Sequence, residues 1–163
     1  MLDFTNFENI YFDFWIKSEY FLNPPFMKLT IDDDVYFEDH IKKDMHLRFK
    51  KKCSFDHIHK IKIVRSGKTN NDTKFLPDGT LQSQILTIEK IKIDNIDLRN
   101  LIWHRCVYAP VYPEPWATEQ KNEGVRLPDT LNGTMTLGHN GQWEFDFNCP
   151  TYRFLIDWIQ NKL

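Results

Sequence analysis

The chain has 163 residues, with 21 Lys and Arg against 23 Asp and Glu for a net charge of −2; 41% of residues are apolar and 27% charged. That length predicts one domain over residues 1–163, able to bury roughly 70% of its unfolded surface. The composition excludes a collagen, a disordered tail and a coiled coil, and the net charge offers no overall positive field for nucleic-acid binding by counterion release.

At the N-terminus, Asp3, Glu8 and Asp13 interrupt any apolar run, so no signal peptide is predicted. No run reaches the ~18 residues of a membrane span. Folding in a cytoplasm, without membrane insertion, is the expectation. Ile10, Phe12, Phe14 and Ile16 then alternate with Tyr11, Asp13, Trp15 and Lys17, which is strand period. Met27, Leu29 and Ile31 form a second strand, followed by the acidic turn Asp32-Asp33-Asp34 and by Val35 and Phe37. Met45, Leu47 and Phe49 alternate with His46 and Arg48, and Ile61 and Ile63 with Lys60 and Lys62. Leu86 and Ile88 lie on even positions and Ile91 and Ile93 on odd ones, which predicts a bulge near Glu89-Lys90. Asp94-Asn95 reads as a tight hairpin turn, and Gly138–Gly141 as a second one between Met135-Leu137 and Trp143-Phe147.

Eight or more short strands with turn signals between them predict an all-β fold, an antiparallel β-sandwich of jelly-roll type. Pro150 is placed as the first residue of a short C-terminal helix over 150–161, with Tyr152, Leu155, Ile156 and Ile159 at helical spacing. Two long loops remain, 66–84 and 108–127. Long loops in a compact domain are commonly functional.

Most motifs fall short of chemistry. Ser66-Gly-Lys-Thr69 lacks the upstream glycine and following helix of a phosphate loop. His57 and His59 put two imidazoles on one strand face, short of the three or four ligands of a metal site, and are read as solvated. The run Asp32–Asp34 lacks calcium-loop spacing, and Asp72 with Asp78 is a weak calcium candidate, so no cofactor is assigned. Cys53, Cys106 and Cys149 are odd in number and without CxxC spacing. They argue against a disulfide framework and a structural zinc site, and Cys106 and Cys149 read as small buried hydrophobes. Glu114 and Glu119 flank Trp116, but nothing in the sequence sets them across a sugar as a glycosidase requires. No nucleophile elbow or Cys/His signature is present, so no catalytic residue is assigned and the chain is read as a non-enzyme.

The most informative segment is aromatic and proline-rich, Tyr108 to Gln120. Prolines restrict its backbone, so Tyr108, Tyr112 and Trp116 would be presented at low entropic cost to a protein or a glycan. The opposing reading folds these rings over one edge of the sandwich as core.

The same segment carries a resemblance. Ile91–Leu98, Leu101-Ile-Trp103, Tyr112-Pro-Glu-Pro-Trp-Ala-Thr-Glu-Gln120, Leu127-Pro128, Leu137-Gly-His-Asn-Gly-Gln-Trp143 and Pro150-Thr-Tyr-Arg-Phe-Leu155 occur in order. Together, over roughly residues 57–158, they resemble a family of small proteins encoded by tailed phages of aquatic bacteria, especially cyanobacteria. The half from Ile10 to Leu98 is similar to jelly-roll carbohydrate-binding modules, including calcium-dependent xylan binders, whose calcium ligands have no counterpart here. The resemblance implies a virion structural or virion-associated protein, made in the host cytoplasm and docked on other virion proteins in symmetric copies. The alternative it implies is a module that binds host polysaccharide. Docking through the aromatic segment, and through Leu2, Phe4 and Phe7, is the expected mechanism.

Overall fold

The computed structural model describes residues 6–161. Its strands are β1 (Phe7–Glu19), β2 (Phe26–Ile31), β3 (Asp34–His40), β4 (Met45–Ser54), β5 (Ile58–Ser66), β6 (Thr73–Phe75), β7 (Leu81–Ser83), β8 (Ile85–Ile93), β9 (Ile96–Asp97), β10 (Val107–Val111), β11 (Leu131–Asn132), β12 (Thr136–Leu137) and β13 (Asn140–Asn148). Three helices join them: α1 (Arg99–Arg105), α2 (Trp116–Asn122) and α3 (Thr151–Gln160). Among the described residues no helix is long and apolar enough to cross a membrane.

Two antiparallel sheets form a sandwich. The first has the order β12-β8-β1-β4, with β9 on β8; the second runs β11-β10-β13-β5-β2-β3. The chain passes repeatedly from one sheet to the other, as in a jelly roll, and β6 and β7 pair apart from both. Period two explains the core. Ile10, Phe12, Phe14 and Ile16 on β1 face Leu29, Ile61, Ile63, Phe145 and Phe147 of the second sheet, all buried. The Phe12 and Phe147 rings meet between the sheets at 5.6 Å. Each such side chain contributes about 1.5–3 kcal/mol by leaving water.

The local signals in the strands hold. The register between β1 and β8 shifts at Trp15/Ile16, opposite Glu89. Asp94 and Asn95 turn with φ of 48° and 64°, the left-handed pair of a two-residue hairpin.

Three expectations are corrected. Met135–Phe147 is not a hairpin: β12 pairs with β8 in the first sheet and β13 with β5 and β10 in the second, so Gly138-His139 crosses between sheets. The loop 108–127 contains strand β10 and helix α2. Pro150 caps α3 from outside rather than opening it, and the helix turns a different face inward. Thr151 and Phe154 are buried and Leu155 and Trp158 pack on the core, whereas Tyr152, Ile156 and Ile159 point outward. The rotation is set at the helix start, where the Thr151 amide and hydroxyl donate to Glu8 Oε1 at 2.6 and 2.7 Å. Of the expected N-terminal docking residues, Leu2 and Phe4 lie outside the described residues, and Phe7 is half-buried in β1 beneath Lys52 Nζ, 3.6 Å from its ring centre.

Candidate functional site

The two long loops meet. Asn70 Nδ2 donates to the Glu114 carbonyl at 3.2 Å, so loop 66–84 abuts the aromatic segment. Beneath this junction Asn140, at the start of β13, holds Lys68 on both sides. Its Oδ1 accepts from the Lys68 amide at 3.0 Å and its Nδ2 donates to the Lys68 carbonyl at 3.0 Å. Lys68 Nζ donates to Ser83 Oγ at 2.7 Å and to the Gly138 carbonyl at 2.6 Å.

The three aromatic residues separate. Tyr108 is in the core, 1% exposed, with its hydroxyl donating to the His139 carbonyl. Its expected presentation to a ligand is therefore wrong. Cys106 and Tyr108 share the inward side of a strand whose Val107 and Ala109 face out, and that period-two pattern was the available signal. Tyr112 is half-buried, with its hydroxyl donating to the Pro128 carbonyl at 2.7 Å. Trp116 opens α2 and stays exposed, while the next residue, Ala117, is buried. The Trp116 ring centre stands 6.1 Å from Tyr112 and 5.5 Å from His139, and Tyr112 meets His139 at 5.2 Å. His139 is the member of this group that sequence reading missed.

Cationic groups lie under the rings. Arg65 is fully buried, and burial pulls its pKa down to about 10. Burial, with Arg65 nearby, lowers Lys68 to about 8. Burial and these two cations lower the His139 pKa from its ordinary value, which favours the neutral imidazole. Glu114 is no free acid across from Glu119, because its Oε2 accepts from the Thr118 amide and hydroxyl at 3.2 and 2.8 Å.

The calcium candidates are committed elsewhere. Asp72 Oδ2 accepts from Thr69 and Oδ1 from Asn23, and Asp78 Oδ1 accepts from the Thr80 amide. Asp34 pairs with Lys51 Nζ at 2.6 Å. Asp32 turns to His59, whose Nδ1 lies 2.5 Å from Oδ2. His59 is buried, which corrects its reading as a solvated side chain, whereas His57 is exposed as expected. Cys106 is a buried thiol 3.4 Å from the Thr134 carbonyl, while Cys149 lies beside Cys53.

A second surface was hidden by the net charge. The outer face of the first sheet carries Tyr11 and Trp15 on β1 among Arg48 and Lys50 of β4 and Lys90 and Lys92 of β8. Arg48 lies 5.3 Å from the Tyr11 ring centre, and Lys90 lies 5.0 Å from that of Trp15. The acid at the centre of this face, Asp13, is buried against His46 Nε2 at 2.6 Å. A chain of net charge −2 thus presents a basic, ring-bearing sheet face.

No family model and no curated protein matches the chain. A solved structure described as vCBM60 in complex with galactobiose is similar at 9% identity and a TM-score of 0.44, over 83% of this chain and 96% of that one.

Proposed function

We propose that the chain is a non-enzymatic binding module that recognises polysaccharide, with Trp116 and Tyr112 as its sugar-stacking rings. The supporting observation is the Trp116–Tyr112–His139 group at the junction of the two long loops. Trp116 is 36% exposed, and the backbone around it is fixed by the buried Ala117 and by the bond from Tyr112 to Pro128. A preorganised ring loses little entropy when it stacks on a sugar face. The basic face of the first sheet favours acidic polysaccharide, since uronate or sulfate groups complement Arg48, Lys50, Lys90 and Lys92.

Affinity electrophoresis through gels holding neutral or acidic host polysaccharides tests this. Retardation of the wild-type chain and its loss in Trp116→Ala is the expected result. Equal mobility of wild type and variant in every gel would overturn it.

A second reading is docking within a tailed-phage particle, and a specific feature favours it. Tyr152, Ile156 and Ile159 form an exposed apolar stripe along α3, 62%, 47% and 53% exposed. Such a stripe suits burial against a neighbouring virion protein, and repeated copies would follow the particle's symmetry. Mass spectrometry of salt-washed particles tests it: recovery at fixed stoichiometry to the major capsid protein supports a virion location, and absence refutes it.

A further inference from the structure

We propose that Cys53, His59 and Cys149 form a zinc site on the seam between the two sheets. Cys53 lies near the end of β4 in the first sheet, His59 near the start of β5, and Cys149 directly after β13 in the second. Both sulfurs and an imidazole nitrogen lie within 4.8 Å of one another, and all three side chains are buried. The chain's topology brings them together. The turn after β4 is pinned to the end of β13 by the Asp56 amide, which donates to the Cys149 carbonyl at 3.2 Å. His59 lies opposite Phe147 in the β5–β13 ladder, two residues before Cys149. Spacing in the sequence hides this, because the ligands come from separate strands instead of a CxxC loop.

The donor chemistry selects the ion. Two thiolates and an imidazole are the borderline-soft set that zinc takes in tetrahedral geometry. Two thiolates also neutralise the dication, which suits a buried position. The independent observation is the orientation of His59. Asp32 Oδ2 sits 2.5 Å from Nδ1, so a carboxylate orients the ring through that nitrogen, and Nε2 is the nitrogen that can serve as ligand once it leaves the Ser54 carbonyl. Asp32 is itself held, since its Oδ1 accepts from the Lys60 amide at 2.9 Å. Nε2 now lies 2.8 Å from the Ser54 carbonyl, a contact it exchanges for the metal when it binds without its proton.

His59 also lines a surface cleft, together with Asp32, Ser54 and His57. His57 lines the same cleft, with its ring centre 6.4 Å from that of His59. On binding, each thiol releases one proton to solvent and forms a Zn–S bond, and Nε2 releases the proton it shares with the Ser54 carbonyl and forms a Zn–N bond, with no change of oxidation state.

The test uses the full chain, reduced, loaded with Zn²⁺ and dialysed, and separately loaded with Co²⁺. One zinc per chain is expected, with X-ray absorption showing two sulfur ligands and at least one nitrogen. Cobalt should give thiolate charge-transfer absorption that is lost in Cys53→Ser and Cys149→Ser and kept in Cys106→Ser. The absorption measurement on wild type stands even where a serine variant fails to fold. Failure of the reduced wild-type chain to retain zinc overturns the proposal, as does a sulfur-free coordination shell or cobalt absorption unchanged in Cys53→Ser. None of these outcomes bears on polysaccharide binding through Trp116.

Discussion

Arg65 Nη2 donates to both the main-chain carbonyl and the side-chain Oε1 of Gln84, at 2.6 and 2.8 Å, in the interior of the sandwich. Among the described residues no carboxylate is within hydrogen-bond distance of this guanidinium, and Asn140 Oδ1 accepts from Nη1 at 3.1 Å. A buried cation held by neutral oxygens depends on each of them. Gln84→Ala removes one acceptor and leaves charge under-solvated, at a cost of about 2 kcal/mol. Urea unfolding monitored by Trp fluorescence checks this, and a change below about 0.5 kcal/mol would refute the account.

Gly141 is required by close approach. It lies opposite Pro110 in the β10–β13 ladder, and a Cβ there would stand 2.9 Å from the Pro110 Cα and collide with the Ala109 carbonyl. Gly141→Ala should cost on the order of 1–3 kcal/mol. It should also weaken polysaccharide binding, since β10 leads into the segment that bears Tyr112 and Trp116. Thermal unfolding and the gel-retardation measurement together decide this.

Lys68 carries a pH signature. Burial holds its folded pKa near 8, against 10.5 for the free side chain. Between those values the unfolded chain binds more protons than the folded one, so stability rises with pH across that window. Below pH 8 the opposing contribution is at its full size. The contribution should vanish in Lys68→Met, whose stability curve over this window is expected to be flatter than that of wild type. NMR titration of the Lys side chains should show one titrating near 8; titration of all of them near 10.5 would contradict the burial argument.

On α3, Phe154 and Ile156 should behave oppositely. Phe154 is buried and meets Phe145 at 6.4 Å, so Phe154→Ala is expected to cost about 3–5 kcal/mol. Ile156 is exposed, and Ile156→Glu should change stability by less than about 0.5 kcal/mol. If the helix docks on a virion neighbour, Ile156→Glu should nonetheless remove the protein from particles.

The basic sheet face predicts salt dependence. Replacing Lys90 and Lys92 by Glu should abolish retention by acidic polysaccharide at low salt and leave retention by neutral polysaccharide unchanged. Retention of the acidic polymer by the double variant would remove this face from the binding reaction.

The sequence by itself determined what short-range rules can carry. Alternation over Ile10–Ile16 and over Trp143–Phe147 fixed strands with one buried face, because a strand's side chains repeat every two residues. The parity change at Glu89-Lys90 and the Asp94-Asn95 pair fixed a bulge and a turn, since both are local backbone geometry. Tertiary structure alone decided the rest. It placed Gly138–Gly141 at a crossing between sheets, because partner choice depends on strands far away in sequence. It turned Tyr152, Ile156 and Ile159 outward, because the tether from Glu8 to Thr151 sets the rotation of α3. It gathered Cys53, His59 and Cys149, and it sorted a balanced composition into one basic face. Convergence of side chains and segregation of charge are properties of three-dimensional packing, and no period along the chain encodes them.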